Sequence, residues 1–404
     1  MNRTITPSPR RGIRRSRCLL HVLAVALYAL GLGAASHAAE NWMLSTPEPL
    51  PSPINLPNTF SGTPCMSADA LTLYFASDRP GGYGKWDLWV ATRQSTAENW
   101  GEPVNLGPEV NTDAAEVMPS ISADGLTLFF GDGNPFNWRA RNGTANDYQV
   151  WMTTRATRQS PWGKPVELGP PVGSTYIDDY PHLTSDGLSL YFTSARPQSY
   201  GLNVAERASP SGPWLTVKNL GSAINVTGSW NAFPWLSTDG LRLIYQSDRP
   251  GGRGGMDLWM STRSSTSTST SAAWPTPVNL GAQVNSAFHD VSPCVSADFP
   301  AIGPSLLFCR NDINGWNMRF KIYQSVAIPN VSLLRSTSLE GPWNPVTASF
   351  VPVSNDTVLA EGAFVGNAPQ FFYRVKMLGE TGSVRLLTAE KSGTKFRVRI
   401  EWAP

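Results

Sequence analysis

Between residues 119 and 130 the alternation of apolar and polar positions describes two short strands and a tight turn. Residues 119–122 are extended, Ala123, Asp124 and Gly125 supply the turn, and residues 126–130 alternate between two faces as a half-buried strand does. A block of the same form (proline, any residue, an apolar residue, serine or threonine, any residue, aspartate) begins at Pro64, Pro119, Pro181, Pro234 and Pro293. A pattern that returns at such intervals in strand-rich sequence predicts one propeller blade per repeat.

The rest of a blade is legible in the first repeat. A glycine-rich loop over residues 78–84 leads to a third strand over 87–90, and Trp100 precedes a short outer strand over 103–107. The same segments recur at 248–254 with 257–259, and at Trp274 with 277–281. The fifth repeat runs out after Gln324, and residues 40–42 and 53–56 echo residues 98–100 and 103–106. This predicts that residues 53–56 pair as the outer strand of the fifth blade, closing a ring that leaves only short, protected edges.

Beyond Asn330 the pattern changes. Residues 332–339, 341–343 and 371–375 predict a small β-sandwich with an aromatic strand in its core, suited to a stalk, spacer or attachment role. The Ser/Thr run over 264–271 is low in complexity and predicts a loop between the third and outer strands of the fourth blade. The expectation is thus an all-β chain in three parts: a signal peptide over 1–38, a five-bladed β-propeller over 39–328 closed by an N-terminal outer strand, and a small C-terminal β-sandwich-like domain over 329–404.

The repeats resemble the WD40-like repeats of the PD40 and TolB families, in versions that read S-x-D-G-x-x-L-Y-F-x-S-D-R-P-G-G-x-G-x-x-D-L-W. The resemblance spans residues 40 to 324 and implies a binding platform more than any one activity. The Gly-His dipeptide and Trp-Asp ending of true WD40 repeats are missing, and no peptidoglycan-binding domain is recognisable, so a cell-wall tether is not expected.

Arg10, Arg11, Arg14, Arg15 and Arg17, an apolar stretch over 18–32 and the small-x-small run at Ser36, His37 and Ala38 predict a secretory leader cleaved after Ala38. The expected location is the periplasm or the extracellular medium of a bacterium, with no membrane span after cleavage; an uncleaved anchor is the alternative reading. The net charge of +2 includes the arginines of the leader, so no basic patch points to nucleic acid. Cys65, Cys294 and Cys309 show no zinc spacing, and no metal or cofactor is expected. Free thiols are predicted, with Cys294 and Cys309 the nearer pair should a disulfide form, because inner strands of neighbouring blades diverge.

Candidate chemistry lies where the loops entering the inner strand meet those leaving the second strand, around one mouth of the channel. Three positions before each repeat proline stand Ser61, Glu116, Asp178, Asn231 and Asp290. Converging carboxylates would raise one another's pKa and attract a cation or a polyhydroxylated ligand. One reading is a centre of Glu116, Asp178 and Asp290 with Asp179, Asn231 and His289; the other is that these groups accept hydrogen bonds from loop backbone. Arg79 and Arg249 lie on the same face, either touching ligand or pairing with neighbouring carboxylates while Asp78 and Asp248 fold the loops. Tyr176, Tyr180, Trp230, Phe233 and Phe288 offer rings for stacking on a sugar or a peptide, or for packing between blades. The function expected is a non-catalytic binding propeller for a protein or glycan ligand. The alternative is a glycoside-processing enzyme using Glu116, Asp178 and Asp290.

Overall fold

The computed structural model of the protein describes residues 42–132, 148–264, 274–296, 305–311, 320–329, 331–336, 344–345, 349–354, 357–363, 372–377, 383–392 and 395–403. The leader, residues 265–271 of the Ser/Thr run, and residues 341–343 and 371 lie outside them.

Two short strands, β1 (Trp42–Leu44) and β2 (Glu48–Pro49), precede the repeats. Blade I is β3 (Ser61–Met66), β4 (Thr72–Ser77), β5 (Asp87–Thr92) and β6 (Val104–Asn105). Blade II is β7 (Glu116–Ile121), β8 (Thr127–Asp132), β9 (Val150–Thr154) and β10 (Val166–Glu167). Blade III is β11 (Asp178–Leu183), β12 (Ser189–Ser194), β13 (Gly201–Glu206) and β14 (Thr216–Asn219). Blade IV is β15 (Asn231–Leu236), β16 (Arg242–Ser247), β17 (Asp257–Thr262) and β18 (Val278–Asn279). Blade V is β19 (His289–Val295), β20 (Ser305–Asn311) and β21 (Lys321–Pro329), completed by β1 and β2. The chain is therefore a five-bladed β-propeller whose last blade is closed from the N-terminus.

Closure uses different residues from those expected. Glu48 and Pro49 pair with Gln324 and Tyr323, and β1 pairs farther along β21 through Trp42↔Pro329 and Leu44↔Ala327. Residues 53–56 instead belong to the turn that follows. The correct equivalence sets Leu50, Ile54 and Asn55 against Leu106, Val110 and Asn111, whereas the expected echo had matched Asn55 to Asn105. Asparagine decides it. The Asn55 side chain donates to the Leu50 and Ile322 carbonyls at 2.7 and 2.8 Å and accepts the Ile322 N–H at 3.0 Å. Asn111, Asn225 and Asn285 bracket Leu88, Leu202 and Leu258 in the same way. Each holds the turn after an outer strand onto the third strand of the same blade.

A second device recurs on the outer side. The guanidinium groups of Arg93, Arg155, Arg207 and Arg263 lie 4.2, 4.3, 4.4 and 4.5 Å from the ring centroids of Trp100, Trp162, Trp214 and Trp274. Their Nε atoms donate to the carbonyls of Ala70, Gly125, Gly187 and Gly240, in the turns between the first two strands. The aspartate of each such turn is a folding residue, as Asp124 Oδ1 taking Ser122 Oγ and the Leu126 N–H illustrates.

The inner strands carry the feature that shapes the channel. In all five, the ladder to the second strand breaks around the repeat proline. The residue before each proline, Thr63, Met118, Tyr180, Phe233 or Ser292, has φ of 47, 59, 57, 55 or 55°. Proline has no N–H to give the ladder, so it sits in a bulge where none is needed. The left-handed partner re-aims its side chain toward the channel.

After the propeller come β22 (Val331–Ser336), β23 (Asn344–Pro345), β24 (Ser349–Ser354), β25 (Thr357–Ala363), β26 (Phe372–Met377), β27 (Ser383–Ser392) and β28 (Lys395–Ala403). They form two antiparallel sheets, ordered β23-β22-β26 and β24-β25-β28-β27. The rings of Tyr373 and Phe396, 5.4 Å apart, bridge the two sheets.

Candidate functional site at the channel mouth

The inner wall of the ring is built from one tripeptide per blade: residues 63–65, 118–120, 180–182, 233–235 and 292–294. Along the prolines the passage is narrow. On the side where the inner strands begin it opens into a cavity of about 350 Å³. All five left-handed residues line this cavity, so it exists because five bulges turn their side chains into one space.

The walls are apolar and aromatic. Phe60 and Trp86 stack at 4.2 Å between centroids, and Phe320 meets Phe60 edge-on at 6.3 Å. Tyr180 and Phe233, with centroids 3.7 Å apart, and Trp230 add three more rings. Val117, Met256, Val291 and Cys309 complete the apolar lining; the polar lining is Thr63, Gln246 and Ser292. Gln246 Oε1 accepts the Ser292 N–H at 3.1 Å, and its Nε2 makes no hydrogen bond among the described residues. Thr63 Oγ1 accepts the Met118 N–H, which leaves its hydroxyl proton to donate.

The expected carboxylates stand elsewhere. Glu116, Asp178 and Asp290 are fully buried at the heads of β7, β11 and β19, and none lines the cavity. Glu116 accepts the Thr112 N–H at 2.9 Å and the Thr112 hydroxyl. Asp178 accepts Ser174 Oγ at 2.5 Å and Ser194 Oγ at 2.7 Å, and pairs with Arg196 at 3.0 Å. Asp290 accepts Ser286 N–H and Oγ at 2.6 and 2.8 Å and pairs with Arg310 at 2.7 Å. Burial raises the pKa of Asp178 and Asp290, against the pull of these partners. Each side chain ties the turn leading into its own blade to that blade's inner strand.

Asn231 fills the same slot in blade IV, accepting Ser247 Oγ at 2.8 Å and Arg249 Nη2 at 3.1 Å. Arg79 and Arg249 are buried. Arg79 donates to the Pro53 and Ile54 carbonyls, and Arg249 to those of Ala223 and Ile224, so each fastens a blade to the turn arriving from the preceding one. The expected pairing of these two arginines with carboxylates is replaced by carbonyl binding, because Ser61 and Asn231 stand where blades III and V carry aspartate. Asp78 and Asp248 accept the Phe60 and Trp230 N–H groups at 2.7 Å each and so tie their loops to the turn entering the same blade. The loops are folded instead by Asp87, which accepts the Tyr83 and Gly84 N–H groups, and Asp257, which accepts those of Arg253 and Gly254.

Asp179 is buried at the seam of blades II and III. Its carboxyl accepts the Tyr180 N–H at 2.8 Å, and burial together with Asp132 and Asp178 pushes its pKa well above the usual carboxylate range. Gly131 is required beside it, since a Cβ there would stand 1.9 Å from Asp179 Oδ1. His289 Nδ1 accepts the Met256 N–H at 3.1 Å, and Tyr176 is exposed outside the cavity. Of the residues expected to meet a ligand, only the rings Tyr180, Trp230 and Phe233 line the cavity. Phe60 stands in the repeat slot of Trp230, and Trp86, Met256 and Phe320 share another, two residues before Leu88, Leu258 and Ile322, so the signal that could have found them was a repeat position outside the proline block. The left-handed backbone was missed because Thr, Met, Tyr, Phe and Ser carry no signal for positive φ.

No protein-family model and no curated protein matches the chain. Among solved structures it is similar to TolB from Acinetobacter baumannii, at 16% identity and a TM-score of 0.36, over 65% of this chain and 53% of that one. It is also similar to an alpha-L-arabinofuranosidase from Lactobacillus brevis, at 13% identity and a TM-score of 0.44, over 73% of this chain and 95% of that one. A xylan beta-1,4-xylosidase from Bacillus halodurans C-125 matches at 13% identity and a TM-score of 0.43, over 73% of this chain and 56% of that one. The chain is distantly similar to TolB and to GH43 proteins, and it spans about half of the Acinetobacter TolB. These distant likenesses bear on neither substrate nor partner.

Proposed function

We propose that the protein is a non-catalytic binding propeller, exported by its leader, that takes an aromatic or aliphatic group of a protein partner into the cavity at the channel mouth. The observation that carries this reading is the cavity itself: six aromatic rings around about 350 Å³, floored by five residues in a backbone conformation unusual for their type. Non-glycine residues in this region cost on the order of 1 kcal/mol or more each and persist where the surrounding structure overdetermines them, often at ligand sites. A pocket of this kind, mostly apolar with few polar groups, suits a compact apolar ligand with one acceptor for Gln246 Nε2. A sugar would need partners for several hydroxyls. The carboxylates that could serve them, or act in hydrolysis, are engaged inside their blades.

The test is a screen of the full chain against peptide and glycan arrays and chromogenic glycosides. Binding of peptides rich in Trp, Tyr, Phe or Leu is expected, weakened at least about tenfold by Phe320→Ala or Trp230→Ala, which is about 1.4 kcal/mol. Hydrolysis of a glycoside, or peptide binding indifferent to both substitutions, overturns the reading. N-terminal sequencing of protein recovered from the periplasm or medium is expected to begin after Ala38.

A further inference from the structure

Closing the ring sets blade I against blade V and brings together three cysteines that lie far apart in sequence. Cys65 and Cys294 occupy equivalent positions, each directly after the bulge proline of its inner strand, and both line the channel wall. In the other blades these positions hold Ser120, His182 and Trp235. Cys294 Sγ accepts the Met66 N–H at 3.1 Å, beside Cys65 in the chain, and Cys65 Sγ lies 3.9 Å from the carbonyl of the same Met66, so both sulfurs meet the backbone of one residue. The within-blade pair expected from sequence is not aligned: Cys309 stands opposite Val291 and Cys294 opposite Leu307, because the bulge shifts the register between them. Cys309 Sγ instead accepts the Thr63 N–H at 3.1 Å. Cys65, Cys294 and Cys309 are all free thiols in the structure, and across the seam of blades I and V Cys294 Sγ reaches the backbone beside Cys65.

We propose that Cys65 and Cys294 are a redox-active dithiol that closes to a disulfide across the seam by exchange with an organic disulfide reaching the channel. The Cys65 thiolate attacks one sulfur of the organic disulfide, forming a mixed disulfide and releasing the first thiolate, which takes up the proton Cys65 lost. Cys294 then loses its proton and attacks the Cys65 sulfur, expelling the second thiol. Two cysteine thiols are oxidised to one disulfide, and the organic disulfide is reduced to two thiols. The thiolate is the attacking species. The neighbouring Cys294 thiol lowers the Cys65 pKa, and Cys65 is the less buried of the two, which favours it as first nucleophile, whereas burial pushes Cys309 up to about 12 and keeps it a thiol. The disulfide would join the innermost strands of the first and last blades directly, closing a loop that holds more than half of the chain. The ring would then stay closed even with β2 detached from β21.

The test equilibrates the full native chain in glutathione buffers of increasing oxidised fraction, followed by alkylation in denaturant and peptide mass spectrometry. Cys65 and Cys294 are expected to lose alkylation together and appear as one crosslinked peptide, with Cys309 alkylated throughout. Cys309→Ser should keep the crosslink, and the chain unfolded in urea should lose this preference. Three alkylated thiols at the most oxidising ratio, a crosslink through Cys309, or a glutathione adduct on Cys65 that persists without resolution would each overturn the proposal.

Discussion

Asn55→Ala tests how the ring is held shut. The substitution removes three hydrogen bonds, to the Leu50 carbonyl and to both the carbonyl and the N–H of Ile322. The Ile322 carbonyl keeps the Leu50 N–H at 2.9 Å, so it stays satisfied. The Ile322 N–H does not, and Ile322 is fully buried. An orphaned buried donor costs about 1–3 kcal/mol; the Leu50 carbonyl, beside a half-buried position that water can reach, adds less. The sum is about 2–3 kcal/mol, or a fall in melting temperature on the order of 5 °C for a propeller of this size. Asn111→Ala breaks the equivalent bonds to Leu88 and should cost the same. Urea denaturation followed by tryptophan fluorescence gives both values. A loss below about 0.5 kcal/mol in each, under the net worth of even one ordinary hydrogen bond, would refute the reasoning. Gly173 occupies the matching position in blade II, where a Cβ would stand 1.9 Å from the Leu168 carbonyl. Gly173→Asn is therefore expected to destabilise rather than supply a missing clamp.

Burial holds the Asp179 carboxyl in the folded chain well above the ordinary aspartate value of about 3.9. Its contribution to stability is fully present below that ordinary value and lost as pH rises through the folded pKa. Asp179→Asn should flatten this limb of the stability profile and match or exceed the wild type at pH 8, and a persistent slope would contradict the assignment. His182 is depressed from 6.5 to about 4 by burial, so its contribution is present above pH 6.5 and lost as pH falls toward 4; His182→Gln should remove that acid-side loss in a melting series. Asp178→Ala strips Arg196 of its charge partner and should cost about 3 kcal/mol, as breaking a buried pair does, with peptide binding at the cavity retained. Gly84→Ala would place a Cβ 2.3 Å from the Ala114 and Thr112 carbonyls, so circular dichroism should show a lowered melting temperature.

The set Ser61, Glu116, Asp178, Asn231 and Asp290 marks where sequence reading succeeds and where it stops. These five residues were identifiable as one repeat position from spacing alone. Their chemistry was not, because a carboxylate at that position has two possible surroundings, solvent in the channel or the turn entering its own blade. Thr112, Ser174 and Ser286, four positions upstream of Glu116, Asp178 and Asp290, were the available signal. A hydroxyl at that spacing marks an acceptor already committed to its own turn. The leucine that opens the turn after each outer strand, with the asparagine that closes it in every blade but the second, likewise carried the correct register for closure.

What the sequence determined by itself was the local grammar of the blade. Alternation, turn residues and the regular return of the proline block depend on neighbours along the chain, so they announce the strands, their order and the need for an N-terminal segment to finish the last blade. The tertiary structure decided which side chains meet. Phe60, Trp86, Trp230 and Phe320 share a cavity, and Cys294 reaches the backbone beside Cys65, only because the ring closes and because a proline-bearing bulge turns the preceding residue inward in every blade. Those contacts join residues from opposite ends of the propeller sequence, as Phe60 and Phe320 do, and depend on the channel's radius and the left-handed backbone at five points, neither of which any residue's own type records.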